Sequence, residues 1–209
     1  MVIAYHLILT AYGWWLPNDP RGSSSQTVAS DIIAELGELH RGRRRVQPPS
    51  PAIRDFYTRA ERVLKFPLLE FSSDDIRTIA DALAESMGEY RYTCYACAIM
   101  PDHVHLLIRK HRDKAEDMIA NVQEAVRLRL GNSGLRAPDH PVWAKSGWKV
   151  FLDHPDDIRR TIRYIRQNPL KRRMPPQAWI FITEYNGWPL HPGHNPNSPY
   201  AKQMREYGH

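Results

Sequence analysis

A chain of 209 residues is long enough to bury a sizeable core in one domain with additions. Its 29 Lys and Arg against 23 Asp and Glu leave a formal charge of +6, which suits a polyanionic partner, since clustered basic side chains release counterions from phosphates. No run approaches the length of a membrane span, and the opening Met1 to Leu9 lacks the basic flank of a signal peptide, so the expectation is a soluble cytoplasmic protein with no membrane partner.

Residues 2–10 read as an apolar strand rich in β-branched and aromatic side chains. His6 lies within it, and a lone strand histidine is ordinarily a hydrogen-bonded structural residue. The Gly- and Pro-containing stretch 11–22 reads as a loop, in which Trp14, Trp15 and Arg21 either stack on unpaired bases or cap the end of the sheet. Residues 23–52 form a surface excursion with a short helix near Ser30–Leu39, and its 41–45 run holds four arginines that contact DNA phosphates or simply remain solvated. Residues 53–65 have helical character, and Pro67 ends them.

Ser73 with Asp74 and Asp75 behind it is a good helix start. Ile76, Ile79, Ala80, Leu83 and Met87 then share one face, so 74–88 reads as an amphipathic helix ending at Gly88. Strands follow at 90–100 and 103–110, then a helix at 114–130 and a last strand at Trp148–Leu152. Pro155, Asp156 and Asp157 suit a first helical turn, and that helix runs to about Asn168, because the residue before Pro169 resists further helix. The tail from 175 to 209, rich in Pro, Trp and Tyr, reads as irregular. Cys94 and Cys97 are the only cysteines. With no second pair to complete a zinc site, and with the two sulfurs expected on opposite faces of a strand, they read as buried structural thiols.

Strand, long insertion, helix, two strands, helix, strand, helix is the order of a ferredoxin-like or RRM-like α+β fold. Such a fold has core helices on one face of a four-stranded antiparallel sheet, with the first and third strands central. The third strand carries Met100-Pro101-Asp102-His103-Val104-His105-Leu106-Leu107-Ile108. Alternation puts His103 and His105 on one face, and two neutral imidazoles side by side can hold one divalent metal. A bare His-x-His also arises on any strand whose polar face meets water. Downstream, Ile158, Ile162 and Ile165 make a narrow apolar stripe with Tyr164 and Asn168 on its flank, one turn apart.

Pro101 to Leu107 resembles the His-hydrophobic-His (HUH) motif of the single-tyrosine transposases of small insertion sequences. Tyr164-Ile165-x-x-Asn168-Pro169 resembles the catalytic helix of their relatives, the REP-associated tyrosine transposases. The two motifs stand in this order about sixty residues apart. The resemblance runs from about Val2 to about Trp188 and departs between Pro17 and Ser72. It implies a single-tyrosine HUH transposase domain over 1–174, with an insertion at about 17–72, and a C-terminal tail at 175–209. It also implies a metal held by His103, His105 and Asn168, with Gln167 in reserve for the last. The metal is magnesium or manganese, of which manganese suits mixed imidazole and oxygen ligation better. Tyr164 is then the nucleophile that cleaves and rejoins single-stranded or hairpin DNA through a phosphotyrosine link. A homodimer stays open, because insertion-sequence members tend to work as dimers and the REP-associated relatives need not. Two rivals remain: a domesticated hairpin- or sequence-specific DNA-binding protein, and a metal-dependent RNA phosphodiesterase, against which the tyrosine helix counts.

Overall fold

Short, largely apolar runs form strand β1 at Ala4–Thr10, β2 at Cys94–Ile99, β3 at His103–Arg109 and β4 at Trp148–Leu152. The computed structural model describes residues 1–22, 36, 46–132, 139–144, 147–188 and 195–206; apart from Leu36, the helix expected near Ser30–Leu39 and the arginine-rich 41–45 run lie outside the described residues. The helices are α1 Ser50–Val63, α2 Ser73–Glu89, α3 Ala115–Asn132, α4 Pro155–Lys171 and α5 Pro199–Glu206. The chain divides into two units, one of residues 1–9, 71–137 and 147–209, the other of residues 10–70 and 138–146.

In the first unit the strand order is β2-β3-β1-β4, the ferredoxin-like arrangement with the first and third strands central. β1 pairs antiparallel with β4, His6 opposite Val150, and β2 with β3, Ala98 opposite His105. The Lys110 N–H donates to the Ile3 carbonyl at 2.8 Å, which sets the end of β3 beside the start of β1. Ala4, Ala98, Leu107 and Leu152 pack with Ile158, Ile162 and Ile165 of α4, so the isoleucine stripe lies on the sheet face that carries the histidines. Leu7, Val104, Leu106 and Ile108 alternate to the other face and are fully buried. The buried faces of α2 and α3, which pack against each other, are what remains in this unit to cover them. The helices therefore lie on both faces of the sheet, whereas the sequence order alone suggested one.

Several boundaries differ for local reasons. The cap of α2 is Ser72: its hydroxyl accepts from Asp75 N–H while the Asp75 carboxylate accepts from Ser72 N–H, a reciprocal box that Ser73 does not form. α4 does not stop at Asn168. Pro169 lies inside the helix, which ends when Arg173 turns left-handed (φ 58°) and Met174 N–H closes on the Pro169 carbonyl at 2.9 Å. The tail is not wholly irregular either: α5 places Ala201 and Met204 in the α4 core.

Its preceding strap covers the open edge of β2. The Gln177 side chain accepts from Ile99 N–H and donates to the Ile99 carbonyl, both at 2.8 Å, and Thr183 N–H donates to the Cys94 carbonyl. A register shift between Cys94 and Ala96 adds a residue to β2. That cancels one alternation and brings Cys94 and Cys97 to a common face rather than opposite ones. Both are free and buried, and burial pushes the Cys94 thiol up to about 12 and Cys97 well above its ordinary value, as inert structural thiols should be.

In the second unit Phe56, Tyr57 and Ala60 of α1 pack with Leu16, Trp14 and Leu64. Gly13 has φ +83° and a Cβ there would sit 2.6 Å from Leu68 Cδ2, so no other residue fits that turn without moving the leucine. The loop aromatics are engaged within this unit. The Arg21 guanidinium lies 3.8 Å over the Trp15 ring and is bidentate to Asp19, and the Trp14 indole N–H donates to the Leu69 carbonyl.

Candidate active site

The site is built on β1, β3 and α4 of the first unit. Because β3 and β1 are the central strands, their side chains on the α4 face are held by neighbours on both sides. His103 and His105 are both buried, and their Nε2 atoms face each other at 3.0 Å. His105 Nδ1 lies 2.9 Å from His6 Nε2, and His103 Nδ1 lies 2.7 Å from Asp102 Oδ1. Asp102 is 2 % exposed, and its other oxygen accepts from Arg172 Nη2 at 2.9 Å, just past the end of α4. His6, His105, His103, Asp102 and Arg172 thus form one continuous polar chain.

Burial, reinforced by His103, lowers the His6 pKa to about 4. Burial also holds His105 well below its ordinary value, with His103 and then His6 adding to the effect. Both rings are therefore neutral near pH 7. With His6 and His105 neutral, the contacts are satisfied if His6 Nε2–H donates to His105 Nδ1, His105 Nε2–H donates to His103 Nε2, and His103 Nδ1–H donates to Asp102.

Tyr164 stands over this chain. Its ring is edge-on to His105 with centroids 5.5 Å apart, and 6.1 Å from His6. The side chain is 38 % exposed, so it meets both the imidazoles and solvent. The Lys171 ammonium lies 5.3 Å from the tyrosine ring centre. Arg159 and Arg160 are paired with Asp156 and Asp157. Arg163, Arg166 and Arg173 are exposed and form no ion pair among the described residues. Asn168 donates from Nδ2 to the Tyr164 carbonyl at 3.1 Å, which leaves Oδ1 as its remaining donor atom for a cation; it has no hydrogen bond to either histidine. Gln167 is exposed.

The pair fits a divalent ion. Two nitrogens each about 2.1 Å from one ion and at right angles about it lie about 3.0 Å apart, the spacing of the two Nε2 atoms. A carboxylate on the outer nitrogen of His103 is the usual support of a metal-binding imidazole. Among the described residues no three His, Cys, Asp or Glu side chains group as a metal site.

Sequence reasoning missed three members of the chain. His6 is hydrogen-bonded, as a strand histidine usually is, but its partner is a site residue 99 positions away. Asp102 was visible beside the motif, and Arg172 only as one more basic residue near the end of the helix.

No family model and no curated protein matches the sequence. Among solved structures, the chain is similar to a REP-associated tyrosine transposase bound to a REP hairpin. The identity is 10 % over 81 % of this chain and 68 % of that one, with a TM-score of 0.44. It is also similar to a candidate transposase from Deinococcus radiodurans R1, 14 % identical over 83 % of this chain and 92 % of that one, with a TM-score of 0.37.

Proposed function

We propose that this chain cleaves and rejoins single-stranded or hairpin DNA through a covalent bond to Tyr164. It is a transposition-type strand transfer, with His103, His105 and Asn168 holding magnesium or manganese. The observation that carries the reading is the Tyr164 ring set edge-on to His105 at 5.5 Å, on the flank of a helix whose isoleucines are locked in the core. A packed helix delivers the phenol with little freedom, which is what an in-line attack on phosphorus requires.

When bound, the ion supplies Lewis-acid polarisation of a phosphate oxygen. The rest falls to the side chains. A tyrosine hydroxyl is a weak nucleophile until it is activated; the Lys171 ammonium stands 5.3 Å from the Tyr164 ring centre, where it can hold a phosphate oxygen close to the phenol. Tyr164 Oη gives up its proton to solvent and forms a bond to phosphorus, the bond from phosphorus to the 3′ oxygen breaks, and that oxygen takes a proton from solvent to leave a free 3′ hydroxyl. The phosphotyrosine retains the bond energy, so a 3′ hydroxyl can attack it in turn and restore a phosphodiester. Arg163 and Arg166, not engaged in ion pairs among the described residues, can steady phosphate oxygens by charge-assisted hydrogen bonds.

The test is a set of labelled single-stranded and hairpin oligonucleotides from the DNA flanking the gene, incubated with Mn²⁺ and resolved on a denaturing gel with peptide mass mapping. An adduct on Tyr164 is expected, absent from Tyr164→Phe. Fragments without an adduct would make the chain a hydrolase, and tight binding without fragments a DNA-binding protein.

A further inference from the structure

The two outer ring nitrogens of the histidine pair are not left to solvent. His105 Nδ1 is 2.9 Å from His6 Nε2 on β1, and His103 Nδ1 is 2.7 Å from Asp102 Oδ1. We infer that His6 is a positioning residue for the ion site: it accepts a hydrogen bond from His105 Nδ1–H and so turns the His105 Nε2 lone pair towards the one on His103. Asp102 does the same for His103. The inference rests on the metal reading above and names a residue which that reading does not use.

The reason lies in the proton count. For both Nε2 atoms to offer lone pairs across the 3.0 Å gap, the single proton on each neutral ring must sit on Nδ1. His103 meets that condition, because Asp102 is acceptor-only and holds the proton on the near nitrogen. His105 meets it only with an acceptor at Nδ1, and His6 Nε2 is the atom there. In the metal-free chain the three rings can instead donate in one direction towards Asp102, as described above. Loading the pair then requires His105 and His6 to exchange tautomers, with no proton released from either ring. A ring at position 6 that can both donate and accept permits both arrangements. A purely apolar one permits neither.

The experiment compares the wild-type chain with His6→Phe and His6→Gln. Phe keeps an aromatic ring and removes the acceptor; the Gln amide oxygen can take the place of Nε2. Mn²⁺ affinity is measured by calorimetry, and imidazole tautomers are read from long-range ¹H–¹⁵N spectra of the wild type with and without diamagnetic Zn²⁺. His6→Phe should bind Mn²⁺ roughly 10–100-fold more weakly, the usual cost of losing an outer-shell partner of a metal-binding imidazole. His6→Gln should recover most of the affinity, and His105 should move to the Nδ1–H form on Zn²⁺ addition. Equal Mn²⁺ affinity in folded His6→Phe and wild type would overturn the role of His6 while leaving the metal reading intact. If His6→Phe fails to fold, a wild-type His105 that keeps its proton on Nε2 in saturating Zn²⁺ overturns it equally. A wild-type chain that binds neither Mn²⁺ nor Zn²⁺ overturns the metal reading itself, and this inference with it.

Discussion

Arg172 and Asp102, 70 positions apart, meet at 2.9 Å and tie the end of the tyrosine helix to the start of the histidine strand. The carboxylate is buried and the guanidinium half-exposed, with side-chain exposures of 3 % and 50 %, so screening weakens the ion pair but the hydrogen bond still serves a buried acceptor. Arg172→Ala should cost about 1–2 kcal/mol, because Asp102 keeps His103 as a partner. Urea denaturation measures it, and an unchanged midpoint would mean that the latch contributes nothing to stability.

Removal of metal is the second prediction. Excess chelator should abolish oligonucleotide cleavage, and Mn²⁺ should restore it. His103→Ala and His105→Ala should each lower the Mn²⁺-dependent rate by roughly 100-fold or more, the several kcal/mol that a Lewis acid supplies at phosphorus. Circular dichroism should show the fold retained. Full activity in chelator would remove the ion from the mechanism.

Acid should loosen the metal-free fold through His6. Its pKa is about 4 in the folded chain and about 6.5 when unfolded, so between those values the unfolded state binds more protons. Stability is then full above pH 6.5, falls as the pH drops towards 4, and levels off below it. The loss is on the order of 3 kcal/mol for this one group. Carboxylates add their own acid dependence at lower pH, so the informative quantity is the difference from His6→Gln, whose melting temperature should vary less between pH 6.5 and 4. Parallel profiles for the two chains would show that His6 is not held neutral.

Gln177 offers a test of the strap along β2. Its amide takes both backbone groups of Ile99, a residue with no exposed surface. Gln177→Ala leaves a buried N–H and carbonyl without that partner and should cost about 1–3 kcal/mol. Amide hydrogen exchange at Ile99 should accelerate in the variant. Unchanged protection would mean that the tail does not seal this edge.

Much of the site was legible in the primary structure because its logic is local. The period of two places His103 and His105 together, the helical period sets Tyr164 beside the isoleucine stripe, and Pro155 with two acids announces a helix start. These follow from backbone geometry within a single element. The strand order already placed β1 beside β3, but which side chains meet across elements did not follow. His6 joins the site because β1 is the strand hydrogen-bonded beside β3, a choice made by the burial of both faces of the central strands and not by any residue near His6. Arg172 reaches Asp102 because α4 continues past Pro169: the ring costs one helical hydrogen bond, and the buried stripe with the Arg173 turn and Met174 closure outweighs that loss. The tail shows no strong pattern of its own, and α5 is stabilised by seating Ala201 and Met204 in a core that exists only once the sheet and α4 have formed. The order of residues along the chain supplies the chemical groups and the elements that carry them. The tertiary structure decided which ring nitrogen faces which, because that is set by contacts across strands far apart in the chain.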